Sequence, residues 1–231
     1  MIDDVLFVAL PYATLTLAVI VGAYRYFNAR FSYSSQSSQF LESKQLFWGS
    51  VSWHYGIIAI LLAHLLAVLF STAWGILLGT SLRLYVMEIT GLALTLVTIA
   101  GLSLLVLRRL ANPRLMVVTS KADWLMLAAL LSQAVLGFWV GFFYRWGSAW
   151  YLHTIVPWLT SLATFQPDVQ GVATLPLIPK LHILNAFLLV SIFPFTRLVH
   201  ILSFPITYLW RPYQLVVWNR RRKAKPGRMI D

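Results

Sequence analysis

Four histidines lie inside two long apolar segments of the chain, and their type and spacing are the strongest chemical signal in the sequence. His54 and His64 belong to one segment, and His182 and His200 belong to another. A neutral imidazole is a good ligand for haem iron, and an ionisable residue at membrane depth is a functional candidate by default. Two helices that each carry two histidines could hold two haems, provided that the segments cross a membrane.

The composition is that of an integral membrane protein. The chain has 231 residues, of which 59% are hydrophobic and only 11% are charged, and its mean hydropathy is +0.75. Soluble domains carry roughly 25% charged residues. There are no cysteines, which excludes disulfides, thiolate-bound iron–sulfur clusters and a c-type haem attachment motif. Any redox centre must therefore be held through other side chains.

Hydropathy predicts an all-α membrane bundle of five transmembrane helices that forms one membrane domain over residues 1–231. Each segment is close to the ~20 residues that a helix needs to cross a ~30 Å hydrocarbon core. The first has no positive region before it and no small-residue cleavage site after it, so we expect a retained helix. The predicted segments are Asp4–Ala23, Gly49–Ser71, Leu84–Leu107, Trp124–Tyr144 and Leu181–Phe204.

The positions of lysine and arginine predict the orientation of the chain. Positive charge concentrates after the first and third segments and in a basic tail over residues 205–231, whereas the opposite side carries only Arg83, Arg145 and Lys180. The positive-inside rule then places the amino terminus outside and the carboxyl terminus in the cytoplasm. The tail could bind anionic membrane lipids or an acidic partner. Nucleic acid is not an expected partner.

This topology sorts the histidines by depth. His54 and His64 are about 15 Å apart along a helix at 1.5 Å per residue, with His54 nearer the cytoplasm. The other segment runs in the opposite direction, which pairs His64 with His182 on the outer side and His54 with His200 on the inner side. His182 and His200 are about 27 Å apart in a straight helix. Tilt and a kink at Pro194 could absorb part of this mismatch.

The alternatives to haem binding are structural histidines or a different metal site. A single histidine in a membrane helix is often an interhelical or interfacial residue, but two pairs at matching depths favour a function. A metal site without haem is disfavoured because no Asp, Glu or Cys accompanies the histidines. A proton relay normally needs carboxylates within the spans, and only Glu88 is near one. His153 is expected to be a loop or interface residue.

The sequence resembles the gamma subunit of respiratory nitrate reductase over almost its whole length. The similarity is strongest around the histidines and extends to several short motifs elsewhere. The similar stretches are His54-Tyr55-Gly56-Ile57, Ala63-His64, Lys180-Leu181-His182, Phe193 to His200, the Ser-Ser-Gln stretch ending at Gln39, Asn112-Pro113-Arg114, Gln133 to Gly137 and Tyr213 to Val216.

The resemblance implies a cytochrome b with two haems b that oxidises quinol in a prokaryotic plasma membrane. Electrons would pass to an iron–sulfur beta subunit and then to a molybdenum-containing alpha subunit that reduces nitrate. It assigns His64 and His182 to the outer haem and His54 and His200 to the inner one. The quinol-site lysine of the family falls at Arg83 here, and arginine does not reproduce lysine geometry. Ala63 replaces the usual glycine beside an outer ligand.

Other residues could support the haems. Propionate groups need cations near the membrane faces. Arg83, Arg145 and Lys180 are outer candidates, and Arg114 and Arg197 are inner ones, although each could instead be a snorkelling anchor. Gly56, Gly137 and Gly141 could let a porphyrin approach closely or could serve helix packing.

Two other functions remain open from the sequence. The nearer is a haem b membrane anchor of another quinone-linked oxidoreductase, of the sulfite-reduction or heterodisulfide-reductase type. The more distant is a transporter or assembly scaffold without redox chemistry.

Overall fold

The structure is a computed structural model, and it describes residues 2–29, 32–33 and 41–202. This part of the chain is helical and contains no strand. Five helices are long and apolar enough to cross a membrane, which confirms the predicted class. We number them span 1 to span 5 in chain order: Ile2–Asn28, Lys44–Leu69, Ser81–Ala111, Lys121–Phe143 and Leu177–Phe195. The predicted basic tail over residues 205–231 lies outside the described residues.

Each of the first four spans begins before its predicted segment, because charged and polar residues continue the helix ahead of the apolar stretch. Spans 1 and 3 also end after the predicted segments, whereas spans 2 and 4 end slightly before them, at Leu69 and Phe143. Span 5 departs from the prediction of a helix to Phe204. Its α-helix, Leu177–Ile192, is followed by the short 3₁₀ helices Phe193–Phe195 and Arg197–Ile201. Between them Thr196 is extended, with φ −114° and ψ −179°. The expected irregularity at Pro194 is therefore a break of the helix, and His200 lies beyond it; Phe204 lies outside the described residues.

Short helices fill the connections between the spans. They lie in the connections after spans 2, 3 and 4. These helices are Ser71–Leu78, Pro113–Val117, Gly147–Trp150, Val156–Ala163 and Gln170–Ala173, with π-helical turns at Val5–Ala9 and Tyr151–Ile155.

The spans pack in the order 1, 5, 4, 3, 2. Span 1 packs on span 5, span 5 on span 4, span 4 on span 3 and span 3 on span 2. Spans 2 and 3 make the closest approach, where Gly101 of span 3 lies against the backbone of Gly49 and Trp53. Small residues at such an interface let two helix backbones come together in a membrane. This packing fixes the face of span 2 that carries His54.

A hydrophobic cluster joins the start of span 1 to the connection between spans 4 and 5. Its centre is the buried ring of Trp158, which makes edge contacts with Phe7 and Phe187 at centroid distances of 6.0 Å. Pro11 has no N–H to donate to the carbonyl of Phe7, four residues before it. The indole Nε1 of Trp158 donates to that carbonyl at 3.0 Å, so the connection replaces the hydrogen bond that proline removes.

A buried ion pair joins the entrance of span 2 to the end of span 3. The Arg108 side chain is fully buried, and its Nε donates to Glu42 Oε2 at 2.6 Å. Arg108 Nη2 also donates to the Glu42 carbonyl at 2.6 Å. The carboxylate accepts from the N–H groups of Gln45 and Leu46 at the start of span 2. Glu42 is therefore both a helix cap and the counter-ion of Arg108.

The stability that the Glu42 carboxylate contributes is expected to be lost at acid pH. The Gln45 N–H and Arg108 hold the pKa of Glu42 below its ordinary value of 4.5. A carboxylate with a lowered folded-state pKa contributes stability that is complete above the unfolded value and is lost as the pH falls through the folded one. The Tm difference between the purified protein and Glu42→Gln should therefore be constant from pH 7 to about 4.5 and shrink below it. A difference that grows in acid would contradict this role.

Candidate functional site

His54 and His200 face each other, although they lie 146 positions apart in the sequence. His54 is on span 2 and His200 is on the 3₁₀ helix Arg197–Ile201, and their ring centroids are 6.2 Å apart with an interplanar angle of 71°. Metal–imidazole bonds are about 2 Å long, and the centre of each ring lies ~1 Å behind its nitrogen. Two rings that share one metal ion therefore have centres roughly 6 Å apart, which agrees with the spacing of this pair.

In three of the four histidines, a hydrogen bond shows which ring nitrogen carries the hydrogen. The Nδ1 atoms of His54, His64 and His200 lie 2.6–2.8 Å from the backbone carbonyls of Ser50, Ile60 and Arg197. Because a carbonyl oxygen can only accept, each Nδ1 donates, and the lone pair of the neutral ring is on Nε2. This is the arrangement in which a histidine binds a metal through one nitrogen and is oriented through the other.

His182 is held differently, by a side-chain network between spans 4 and 5. The amide nitrogen of Asn185 donates to the Gln133 Oε1 at 2.7 Å and to the Ala129 carbonyl at 2.9 Å. With its oxygen so engaged, Gln133 directs its Nε2 to His182 Nε2 at 3.3 Å. The lone pair of His182 is therefore also on Nε2. Its Nδ1 is buried without a hydrogen-bond partner among the described residues.

The predicted glycines have different neighbours. A Cβ on Gly137 would lie 3.0 Å from Cε1 of His182, so this glycine makes room for the imidazole. A Cβ on Gly141 would lie 3.2 Å from the Leu92 side chain, and one on Gly56 would meet Thr98 and the Leu94 carbonyl. Gly56 and Gly141 thus serve packing against span 3, whereas Gly137 serves a histidine.

Tyr151 lies against His64 from the connection between spans 4 and 5. The two ring centroids are 5.0 Å apart, and the phenol donates to the His64 carbonyl at 3.4 Å. Burial raises the pKa of Tyr151 to about 12, so the hydroxyl remains a neutral donor at physiological pH. His153, two residues further on, is exposed on the same π-helical turn, as expected for a connection residue.

The predicted cationic residues fall into two groups. Lys180 and Arg197 have carboxylate partners: Lys180 Nζ lies 3.3 Å from Asp3, and Arg197 Nε lies 2.8 Å from the buried Asp123. The side chains of Arg83, Arg114 and Arg145 are exposed. Arg83 donates to the Ile76 carbonyl at 3.2 Å, and Arg145 lines a cavity of about 230 Å³ with Trp150 and Pro179. Their assignment to propionates or quinol stays a prediction.

Several residues that shape the site do not follow from the sequence analysis. Gln133 and Asn185 orient His182, and Asp123 binds Arg197, the residue whose carbonyl orients His200. One local signal was readable: Ser120 and Asp123 form a capping box at the start of span 4, a pattern that sequence spacing reveals. Arg197, the partner of Asp123, and the residues of span 5 that contact Gln133 have no such local signal.

The donor set fits haem. Within the described residues, no group of three or more His, Cys, Asp or Glu side chains could hold a metal ion. Each histidine pair offers two nitrogens, which is the number that haem iron takes from a protein with two axial histidines, because the porphyrin supplies the other four. The carbonyl-bound Nδ1 atoms and the spacing of His54 and His200 are those that such ligation needs.

Known proteins similar to this chain agree on one family. The family model described as nitrate reductase gamma subunit matches residues 3–219. The nitrate reductase gamma chain of Bacillus subtilis is 33% identical over 96% of this chain and 100% of its own length. The respiratory nitrate reductase 1 gamma chain of Escherichia coli is 32% identical over 89% and 93%.

A longer relative shares the same region. The nitrate reductase-like protein NarX of Mycobacterium tuberculosis is 30% identical over 97% of this chain, which spans 36% of that protein. The family match covers nearly all of the chain and includes both histidine-bearing spans. The chain belongs to the nitrate reductase gamma subunit family.

Proposed function

We propose that this chain is a di-haem cytochrome b subunit that oxidises quinol and delivers the electrons to a nitrate reductase. The observation that carries the proposal is the pair of facing imidazoles of His54 and His200, each oriented by a backbone carbonyl that accepts its Nδ1 hydrogen. His64 is oriented in the same way, and His182 would exchange the Gln133 hydrogen bond at its Nε2 for a metal. His54 and His200 would hold one haem b, and His64 and His182 the other. When bound, the haems would supply one-electron redox chemistry between the two ends of the bundle.

The residues around the histidines would orient the ligands and exclude water. The carbonyls of Ser50, Ile60 and Arg197 hold the Nδ1 hydrogens, and Gly137 leaves space for His182. Such outer contacts determine the direction of a ligand and its basicity. Arg114 and Arg145, whose side chains are exposed, are candidates to neutralise propionates at the membrane faces. Lys180 and Arg197 could do so only in addition to their pairs with Asp3 and Asp123.

Quinol would be oxidised at the end of the bundle that carries His64 and His182. Oxidation of a quinol to a quinone releases two electrons and two protons. With the amino terminus outside, as the positive-inside rule predicts, the protons would be released outside while the electrons leave on the cytoplasmic side. Arg83, exposed on the first turn of span 3, would offer its guanidinium N–H groups to a quinone oxygen.

The electron acceptor would be a larger enzyme. Relatives that this chain matches along nearly their full length are named as gamma chains of nitrate reductases, and a gamma chain implies other subunits. We propose an iron–sulfur beta subunit and a molybdenum-containing alpha subunit on the cytoplasmic side of a prokaryotic plasma membrane. Family membership favours nitrate over sulfite or heterodisulfide as the substrate of the complex.

A haem assay on the purified complex tests the proposal. We expect a reduced-minus-oxidised spectrum with the bands of haem b and two haems for each copy of this chain. Both haems should become reduced when a quinol is added without nitrate and reoxidised when nitrate follows. A complex without haem, or haems that quinol cannot reduce, would overturn the proposed function.

A further inference from the structure

The break in span 5 leaves a carbonyl group that the helix cannot satisfy. In a continuous helix the Pro194 carbonyl would accept from the N–H of Leu198. Here that N–H is directed to the Thr196 hydroxyl at 3.4 Å, because the backbone is extended at Thr196. An unsatisfied backbone carbonyl at membrane depth costs several kcal/mol, so a donor from elsewhere in the fold is needed.

Arg25 of span 1 supplies that donor. Its Nη1 donates to the Pro194 carbonyl at 2.7 Å and to the Thr196 carbonyl at 3.3 Å. Its Nε and Nη2 donate to the hydroxyl and the carbonyl of Ser32, each at 2.8 Å. The guanidinium also lies 5.6 Å from the centre of the Tyr33 ring. With both sides of its planar donor group engaged, Arg25 is a rigid connection between span 1 and the break.

The same break carries the ligand His200. The residue after Thr196 is Arg197, whose carbonyl accepts from His200 Nδ1 at 2.6 Å. The Arg197 side chain is bound to Asp123 of span 4 at 2.8 Å, and Asp123 is itself fixed by the Ser120 capping box. The 3₁₀ helix that presents His200 is therefore held by Arg25 on the side of span 1 and by Asp123 on the side of span 4.

We propose that Arg25 is a positioning residue for His200, which sets the distance of this imidazole from His54 and so the axial ligation of the haem between them. The inference rests on the proposed function. It extends that function by assigning a role to a residue that touches neither histidine.

Arg25→Gln in the complete complex tests the inference. A glutamine is too short to bind the carbonyls and Ser32 together. We expect the affinity of the His54–His200 site for haem, measured by transfer of haem to apomyoglobin, to fall about 10- to 100-fold, as when outer-shell partners are removed. The midpoint potential and the low-spin EPR signal of this haem should change, whereas those of the His64–His182 haem should not. Arg25→Lys should keep part of the wild-type haem affinity, since an ammonium group can donate to the Pro194 carbonyl.

Two further variants make the result decisive. Lys44→Gln removes an exposed positive charge near the start of span 2 and should leave both haems unchanged. Ser32→Ala removes one acceptor of Arg25, the Ser32 hydroxyl, and should change the same haem more weakly. This variant tests the inference if the complex with Arg25→Gln fails to assemble. Equal effects on both haems, or none, would overturn the inference. A wild-type complex without two haems would instead overturn the proposed function.

Discussion

Replacing His54 by leucine is expected to remove one haem b from each chain and to leave the second in place. Leucine fills a similar volume but offers no nitrogen to the iron, and a haem iron with two axial histidines loses half of its protein ligation. Because His54 and His200 face each other at 6.2 Å, His200→Leu should give the same residual spectrum and the same remaining midpoint potential. Nitrate reduction driven by quinol should fall to background in both variants.

Variants of the other histidine pair, His64 and His182, test whether the two pairs hold different haems. His64→Leu and His182→Leu should also lose one haem each, but the haem that remains should be the one that the first two variants lack. Visible spectra and redox titrations of the four purified complexes decide this. Pairing of His54→Leu with His182→Leu in one spectral class would contradict the assignment. The matched control is His153→Leu, which removes the exposed fifth histidine and should leave both haems in place.

The five spans could be predicted from the sequence because a membrane helix is specified by local composition. A stretch of about 20 apolar residues is sufficient evidence for a span, whatever its neighbours. The path after Pro194 could not be predicted in the same way. Proline predicts that the helix is kinked or broken, but the extended Thr196 and the turn that follows depend on contacts with Arg25 and Asp123. These partners are distant in sequence and are brought together only by the packing order of the spans.

The partners of the cationic side chains could not be predicted from the sequence either. Their number follows from the sequence, yet Arg108, Lys180 and Arg197 each have a carboxylate partner from a distant segment. Arg108 and Glu42 are 66 positions apart, and Lys180 and Asp3 are 177 apart. A charge count treats such residues as equivalent interfacial cations. Which of them are paired depends on which helix ends meet.

Gly101→Ala is expected to destabilise the bundle strongly although it adds a single methyl group. A Cβ at this position would lie 2.5 Å from the backbone nitrogen of Trp53 and 2.8 Å from the Gly49 carbonyl. These are backbone atoms, so no side chain can rotate to make space and the two helices must separate. Overpacking of this kind costs about 1–3 kcal/mol or more, which outweighs the gain of ~1 kcal/mol that alanine brings over glycine in a helix.

Gly91→Ala is the matched control, since the same substitution in the same span meets no atom within 4 Å. Its Tm in detergent should equal or exceed that of the wild type, whereas that of Gly101→Ala should be lower. Since Trp53 precedes His54, separation of spans 2 and 3 should also weaken the His54–His200 haem before the His64–His182 haem. Equal Tm values for the two alanine variants would mean that spans 2 and 3 do not approach as closely as the contact at Gly101 requires.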